Sequence, residues 1–151
     1  MSTTRISRHL NAPPERVYRA LIDPQAIVEW RVPQGMKSHV HEHDAREGGA
    51  FRVSLTYDAP NAAGKTSAHT DTYHGRFVKL VPGIELVEVM EFESSDPSLQ
   101  GEMTVRYLLS EANGGTDLLA THEGVPAGVP PADNELGWRM ALDKLAALVE
   151  R

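Results

Sequence analysis

The chain has 151 residues, 40% hydrophobic and 24% charged, with 21 acidic against 15 basic side chains and a formal charge of −6. Those values describe one globular domain, residues 1–151, with enough apolar material for a sizeable core. An acidic chain without a basic cluster repels phosphate backbones, so no nucleic-acid partner is expected, and the absence of cysteine excludes disulfides, thiolate metal sites and a cysteine nucleophile.

The opening stretch carries no apolar segment of signal-peptide type, and no apolar run reaches the length of a membrane span. A cytoplasmic protein is therefore expected. Thr4 to Leu10 reads as a first strand, with Ile6 and Arg8 on one face. Asn11-Ala12-Pro13-Pro14-Glu15 stops it and opens a short helix, since proline and an acid suit a first helical turn. Val17, Tyr18, Ala20 and Leu21 form its buried side. Asp23-Pro24 ends that helix and caps a second one, running to about Glu29 with Trp30 at its end.

From Lys37 the hydrophobic period changes to two. Ser38 to Asp44 is a predicted strand, followed by the turn Glu47-Gly48-Gly49. In the next strand Phe51, Val53, Leu55 and Tyr57 share a face. Ala59 to Ser67 is a polar loop. Strands follow over His69 to Leu80, Ile84 to Glu93, Gly101 to Ser110 and Thr116 to Glu123, with Asn113-Gly114-Gly115 a strong hairpin signal. Met103, Val105, Tyr107 and Leu109 share one face of their strand. The last element, Ala132 to Glu150, is a long helix whose stripe of Trp138, Leu142, Leu145 and Val149 must lie on something apolar. Gly137, without a side chain, is expected to let this helix approach the sheet closely. Hairpin-length links imply an antiparallel meander, and the fold class is α+β.

Three constellations carry chemistry. His39, His41 and His43 stand at strand spacing and are expected to share a face, but a solvent-facing or mouth-facing strand explains them better than a metal site, and no metal is expected. Glu91 and Glu93 would gain acid–base character if one faced a dry cavity; a solvated strand face is the simpler reading. Asp44 and Arg46 flank the Gly48-Gly49 turn and are read as structural. No nucleophilic triad, phosphate loop or dinucleotide fingerprint is present, and no cofactor is expected.

The chain resembles the START-like (SRPBCC) helix-grip proteins, and within them the group similar to the C-terminal domain of the Hsp90 ATPase activator. The residues that carry the resemblance are Ala12-Pro13-Pro14-Glu15-Arg16-Val17-Tyr18, Ala20 to Pro24, Trp30, Asp44, Arg46, Gly48-Gly49, Gly75, Val81-Pro82, Gly114 to Leu118, His122 and Gly137-Trp138. It implies a seven-stranded antiparallel sheet wrapped around the terminal helix, two short helices after the first strand, and an elongated apolar cavity between helix and sheet. On that basis Trp30, Met36, His41, Phe51, Val53, Tyr73, Met103, Tyr107, Trp138 and Leu142 are the expected ligand-binding residues, without a catalytic set among them. The expected partner is a small hydrophobic or aromatic molecule, a lipid included, held by a monomer or homodimer. A polyketide cyclase or dehydratase using the same cavity is the alternative function. An Hsp90-type interaction module ranks behind it, because no stretch here corresponds to the activators' separate Hsp90-binding domain.

Overall fold

The computed structural model describes residues 1–33, 35–58 and 70–151. The predicted polar loop from Ala59 and the predicted strand start at His69 lie outside the described residues. The elements run β1 (Ser2–Leu10), α1 (Pro14–Ile22), α2 (Pro24–Trp30), β2 (Met36–His43), β3 (Ala50–Tyr57), β4 (Thr70–Val81), β5 (Glu85–Phe92), β6 (Met103–Ala112), β7 (Gly115–Val125) and α3 (Pro131–Val149). A single 3₁₀ turn over Pro97–Leu99 breaks what reads as loop between β5 and β6.

All seven strands join one antiparallel sheet in the order β1-β7-β6-β5-β4-β3-β2, so β2 to β7 form a meander and β1 closes onto β7. The expected helix-grip architecture is the one observed: α3 lies across the inner face, and α1 and α2 close one end. Alternation explains which side chains reach that face. Phe51 and Val53, Phe77, Leu86 and Met90, Met103, Val105, Tyr107 and Leu109, then Leu118 and Ala120 all point inward and are buried with Trp138, Leu142, Leu145 and Val149 of α3. Asp23 ends α1 and caps α2, accepting the Gln25 amide at 2.9 Å. Trp30 fixes α2 to α1 by donating its indole N–H to the Ala20 carbonyl at 2.8 Å.

Two bulges change parity. In β2 the register slips between Val40 and Glu42, which makes His41 the extra residue. His39 and His41 therefore stay on the outer face, their rings 4.5 Å apart, while His43 turns inward and packs edge-on to Phe77. The three histidines do not share a face, and among the described residues no cluster is arranged to hold a metal ion. In β4 the slip falls between Phe77 and Lys79, not at Gly75. Gly75 answers to a different constraint: a Cβ there would stand 2.0 Å from the Val89 carbonyl oxygen and 2.9 Å from the Phe51 ring. Asp44 and Arg46 form an ion pair at 2.8 Å on the exposed turn. That turn is tied to β4 by reciprocal backbone bonds, Gly48 to the Phe77 carbonyl and Phe77 to the Gly49 carbonyl.

Candidate functional site

The C-terminal half of α3 packs flush against the sheet. Under its N-terminal half a cavity of about 400 Å³ opens between helix and sheet, within the range typical of small-molecule sites. Its apolar walls come from Met36, Leu55, Tyr73, Met90, Phe92 and Met103 on the sheet and from Trp138 and Ala141 on the helix. Pro33, Tyr57, Val129, Pro130 and Asp133 also border it, and Asp71, Arg31, His122 and Asn134 give it polar points.

Arg31 follows the last turn of α2, whose end its own amide closes by bonding the Ile27 carbonyl at 2.9 Å. That position drives its side chain into the cavity. Its guanidinium pairs through Nη1 with Glu88, and the two side chains are 15% and 3% exposed. Nη2 lies 3.7 Å from the Met90 sulfur, and the guanidinium carbon stands 5.7 Å and 5.8 Å from the ring centres of Tyr73 and Trp138. Burial opposes its charge, but the Glu88 carboxylate beside it outweighs that and keeps the guanidinium more firmly protonated than usual. Glu88 sits at an inward position of β5, between Leu86 and Met90. A carboxylate buried there requires a charged partner, and Arg31 supplies it.

His122 of β7 is the second polar anchor. Its Nδ1 accepts the Trp138 indole N–H at 3.0 Å and lies 3.2 Å from the Asn134 amide nitrogen. With Nδ1 accepting, Nε2 carries the ring proton, 3.1 Å from the Met103 sulfur. Burial, and then the positive charge of Arg31, push its pKa down to about 4, so the ring is neutral at ordinary pH. Burial likewise raises the Tyr73 and Tyr107 hydroxyls above their usual range. Among the described residues the Tyr107 hydroxyl has no hydrogen-bond partner.

Of the ten expected ligand-binding residues, Met36, Tyr73, Met103 and Trp138 lie on the cavity wall. Trp30, Phe51, Val53, Tyr107 and Leu142 are buried around it without lining it. His41 faces away: alternation puts Met36, Ser38 and Val40 inward, so the histidine stands on the outer surface, bonded to the Ser54 hydroxyl at 2.7 Å. Glu91 and Glu93 also face outward. Glu93 holds Arg52 at 2.7 and 2.8 Å and His74 at 3.0 Å. The hydrogen bond from Arg52, then that from His74, brings its pKa down to about 2 despite partial burial. The expected list lacks Arg31, Glu88, Asn134 and His122. Glu88 had a readable signal, a charged residue at the same parity as Leu86, Met90 and Phe92. Gly137 lines the cavity, with nothing within 4 Å of where a Cβ would sit. Its missing side chain thus enlarges the space and does not serve a close helix–sheet contact.

A grip-type sheet around one helix, hollow on one side and polar at a few fixed points, defines the START-like class of cavity proteins. The family described as activator of Hsp90 ATPase homolog 1-like protein matches residues 11–150, and the chain belongs to that family. Protein CV1439 from Chromobacterium violaceum is 40% identical, with a TM-score of 0.89 over 99% of this chain and 97% of its own. An AHSA1-like protein from Aeromonas hydrophila, 22% identical, shares the fold with a TM-score of 0.72 over 99% of this chain and 92% of its own. So does DynU16 of the dynemicin biosynthetic locus, 20% identical with a TM-score of 0.68 over 99% of this chain and 48% of that longer one. None of the curated proteins matches the chain.

Proposed function

We propose that this protein binds a small apolar or aromatic molecule in the space between the sheet and the N-terminal half of α3. The observation that carries the reading is the cavity itself: about 400 Å³, walled mainly by methionine, aromatic and aliphatic side chains, with polar groups at a few points. The arrangement favours holding over reacting. Arg31 and Glu88 neutralise each other, the His122 acceptor nitrogen is taken by Trp138, and Glu91 and Glu93 stand on the opposite side of the sheet. A general base needs a free lone pair within reach of a substrate proton, and these groups are engaged elsewhere.

Native mass spectrometry of the purified protein, paired with uptake of the neutral dye N-phenyl-1-naphthylamine, tests the reading. A mass increment lost on denaturation, or saturable dye fluorescence displaced by small aromatics, supports it. An unshifted mass together with no dye uptake removes it. The family description makes association with Hsp90 a second reading; an unchanged Hsp90 ATPase rate at saturating protein would remove that one.

A further inference from the structure

The polar groups of the cavity narrow the kind of molecule it suits. This step rests on the binding reading above and deepens it. Arg31 is the only cation on the cavity wall among the described residues, and its side chain retains 15% exposure. A guanidinium carries five N–H donors in a planar fork. Here one nitrogen serves Glu88, and another meets the Met90 thioether, a weak acceptor, at 3.7 Å. The Arg31 side chain has no other hydrogen-bond partner among the described residues, so the wall presents strong donors with capacity to spare.

Charge decides what those donors would take. Glu88 already balances the guanidinium, Asp71 stands on the cavity wall at 2% exposure, and Asp133 borders the same space. The Nδ1 acceptor of His122 is held by Trp138, and the ring is neutral. A second anion would therefore meet a cation that Glu88 already compensates, with the Asp133 carboxylate bordering the same space, and would shed water against mainly apolar walls, where desolvation is expensive. An uncharged oxygen acceptor incurs little of that cost and still gains a charge-assisted hydrogen bond. The apolar surroundings add a preference of their own. Three methionines, Met36, Met90 and Met103, line the wall, and polarisable thioethers pack well against aromatic rings and adapt to their outline.

We infer that the cavity is built for a neutral aromatic molecule with a carbonyl or comparable uncharged oxygen directed at the guanidinium of Arg31. Three near-isosteric probes separate this from simple apolar filling: 2-acetylnaphthalene, 2-ethylnaphthalene and 2-naphthoate, each titrated calorimetrically into the wild-type protein at pH 7.5. The expected order is ketone first, by roughly tenfold over the hydrocarbon, with the carboxylate no tighter than the hydrocarbon. A ketone preference below about threefold, or a carboxylate that binds tightest, overturns the inference and leaves the binding reading standing. Failure of all three to bind overturns the inference, and the binding reading is then decided by the mass and dye measurements. In the double variant Arg31→Met/Glu88→Met, which removes the pair together and so leaves no buried charge alone, the ketone is expected to bind no more tightly than the hydrocarbon. A preference that survives in a variant with a cooperative thermal transition would place the oxygen elsewhere and overturn the role of Arg31. The wild-type ranking decides the question even if the double variant does not fold.

Discussion

Burial beside the Arg31 guanidinium holds the His122 ring at a pKa of about 4, against an ordinary value of 6.5. Between those values the unfolded chain binds a proton at this position and the folded chain does not. Stability therefore rises with pH through the window and is lost as pH falls from about 6.5 towards 4, on the order of 3 kcal/mol across the shift. Glu93 acts in a lower window. Its bonds to Arg52 and His74 stabilise the charged form, so its contribution is present above the ordinary carboxylate value and disappears as pH drops from 4.5 towards about 2. Urea denaturation from pH 7.5 to 2.5 should show two descending steps. Added salt should shrink the lower one, which belongs to a surface network, and spare the buried one. His122→Gln should abolish the upper step alone; a flat profile between pH 7 and 4.5 in the wild type would contradict this account. Tyr107 poses a simpler question. Its buried hydroxyl has no partner among the described residues, and desolvating an unpaired hydroxyl costs free energy. Tyr107→Phe is expected to raise the midpoint by up to ~1 kcal/mol of stability, and a clear loss in thermal melts would mean that the hydroxyl is bonded after all.

Elements were legible wherever alternation was clean. Phe51, Val53, Leu55 and Tyr57 announce both a strand and its inner face, and the stripe on α3 announces its contact with the sheet. Bulges were not legible, because one inserted residue leaves composition and average periodicity unchanged. The slip at His41 splits the three histidines between faces, which no local pattern foretells. The cavity suffered from the same limit. Arg31 and Glu88 are 57 positions apart in sequence, and only the folded meander brings the end of α2 against the middle of β5. Gly75 carries a constraint that no local pattern states: the β5 backbone and the Phe51 ring approach it too closely for any side chain, and the β4 bulge lies beyond it. Gly75→Ala is expected to cost roughly 3–5 kcal/mol, since the added methyl collides with the β5 backbone and the Phe51 ring together. Wild-type-like denaturation of that variant would show that β4 and β5 can separate locally without breaking their ladder.

At the scale of the molecule the grip has a solid side and a hollow side. Ile6, Leu10, Val105, Leu109, Leu118 and Ala120 pack with Leu142, Leu145 and Val149 as a closed core, while the space under Trp138 stays open. Closed packing and open space thereby fall at opposite ends of one helix, and Gly137 tests whether stability and the proposed binding divide the same way. A glycine inside a helix is destabilising by roughly 0.5–1 kcal/mol relative to alanine, from backbone entropy. Here no neighbour forbids a side chain, because nothing lies within 4 Å of the Cβ position and the residue borders the cavity. Gly137→Ala should therefore raise the thermal midpoint without a structural penalty. Gly137→Leu should keep the protein folded while its side chain occupies the cavity, reducing uptake of N-phenyl-1-naphthylamine at least tenfold. Leu145→Ala supplies the opposite result: loss of a fully buried side chain on the solid side should cost about 2–5 kcal/mol while dye uptake by the folded fraction persists. If Gly137→Leu binds the dye as wild type does, the dye lies elsewhere on the molecule and the hollow side is not the site. If Gly137→Ala is destabilised, the glycine serves the fold and the position does not tolerate the side chain its open surroundings admit.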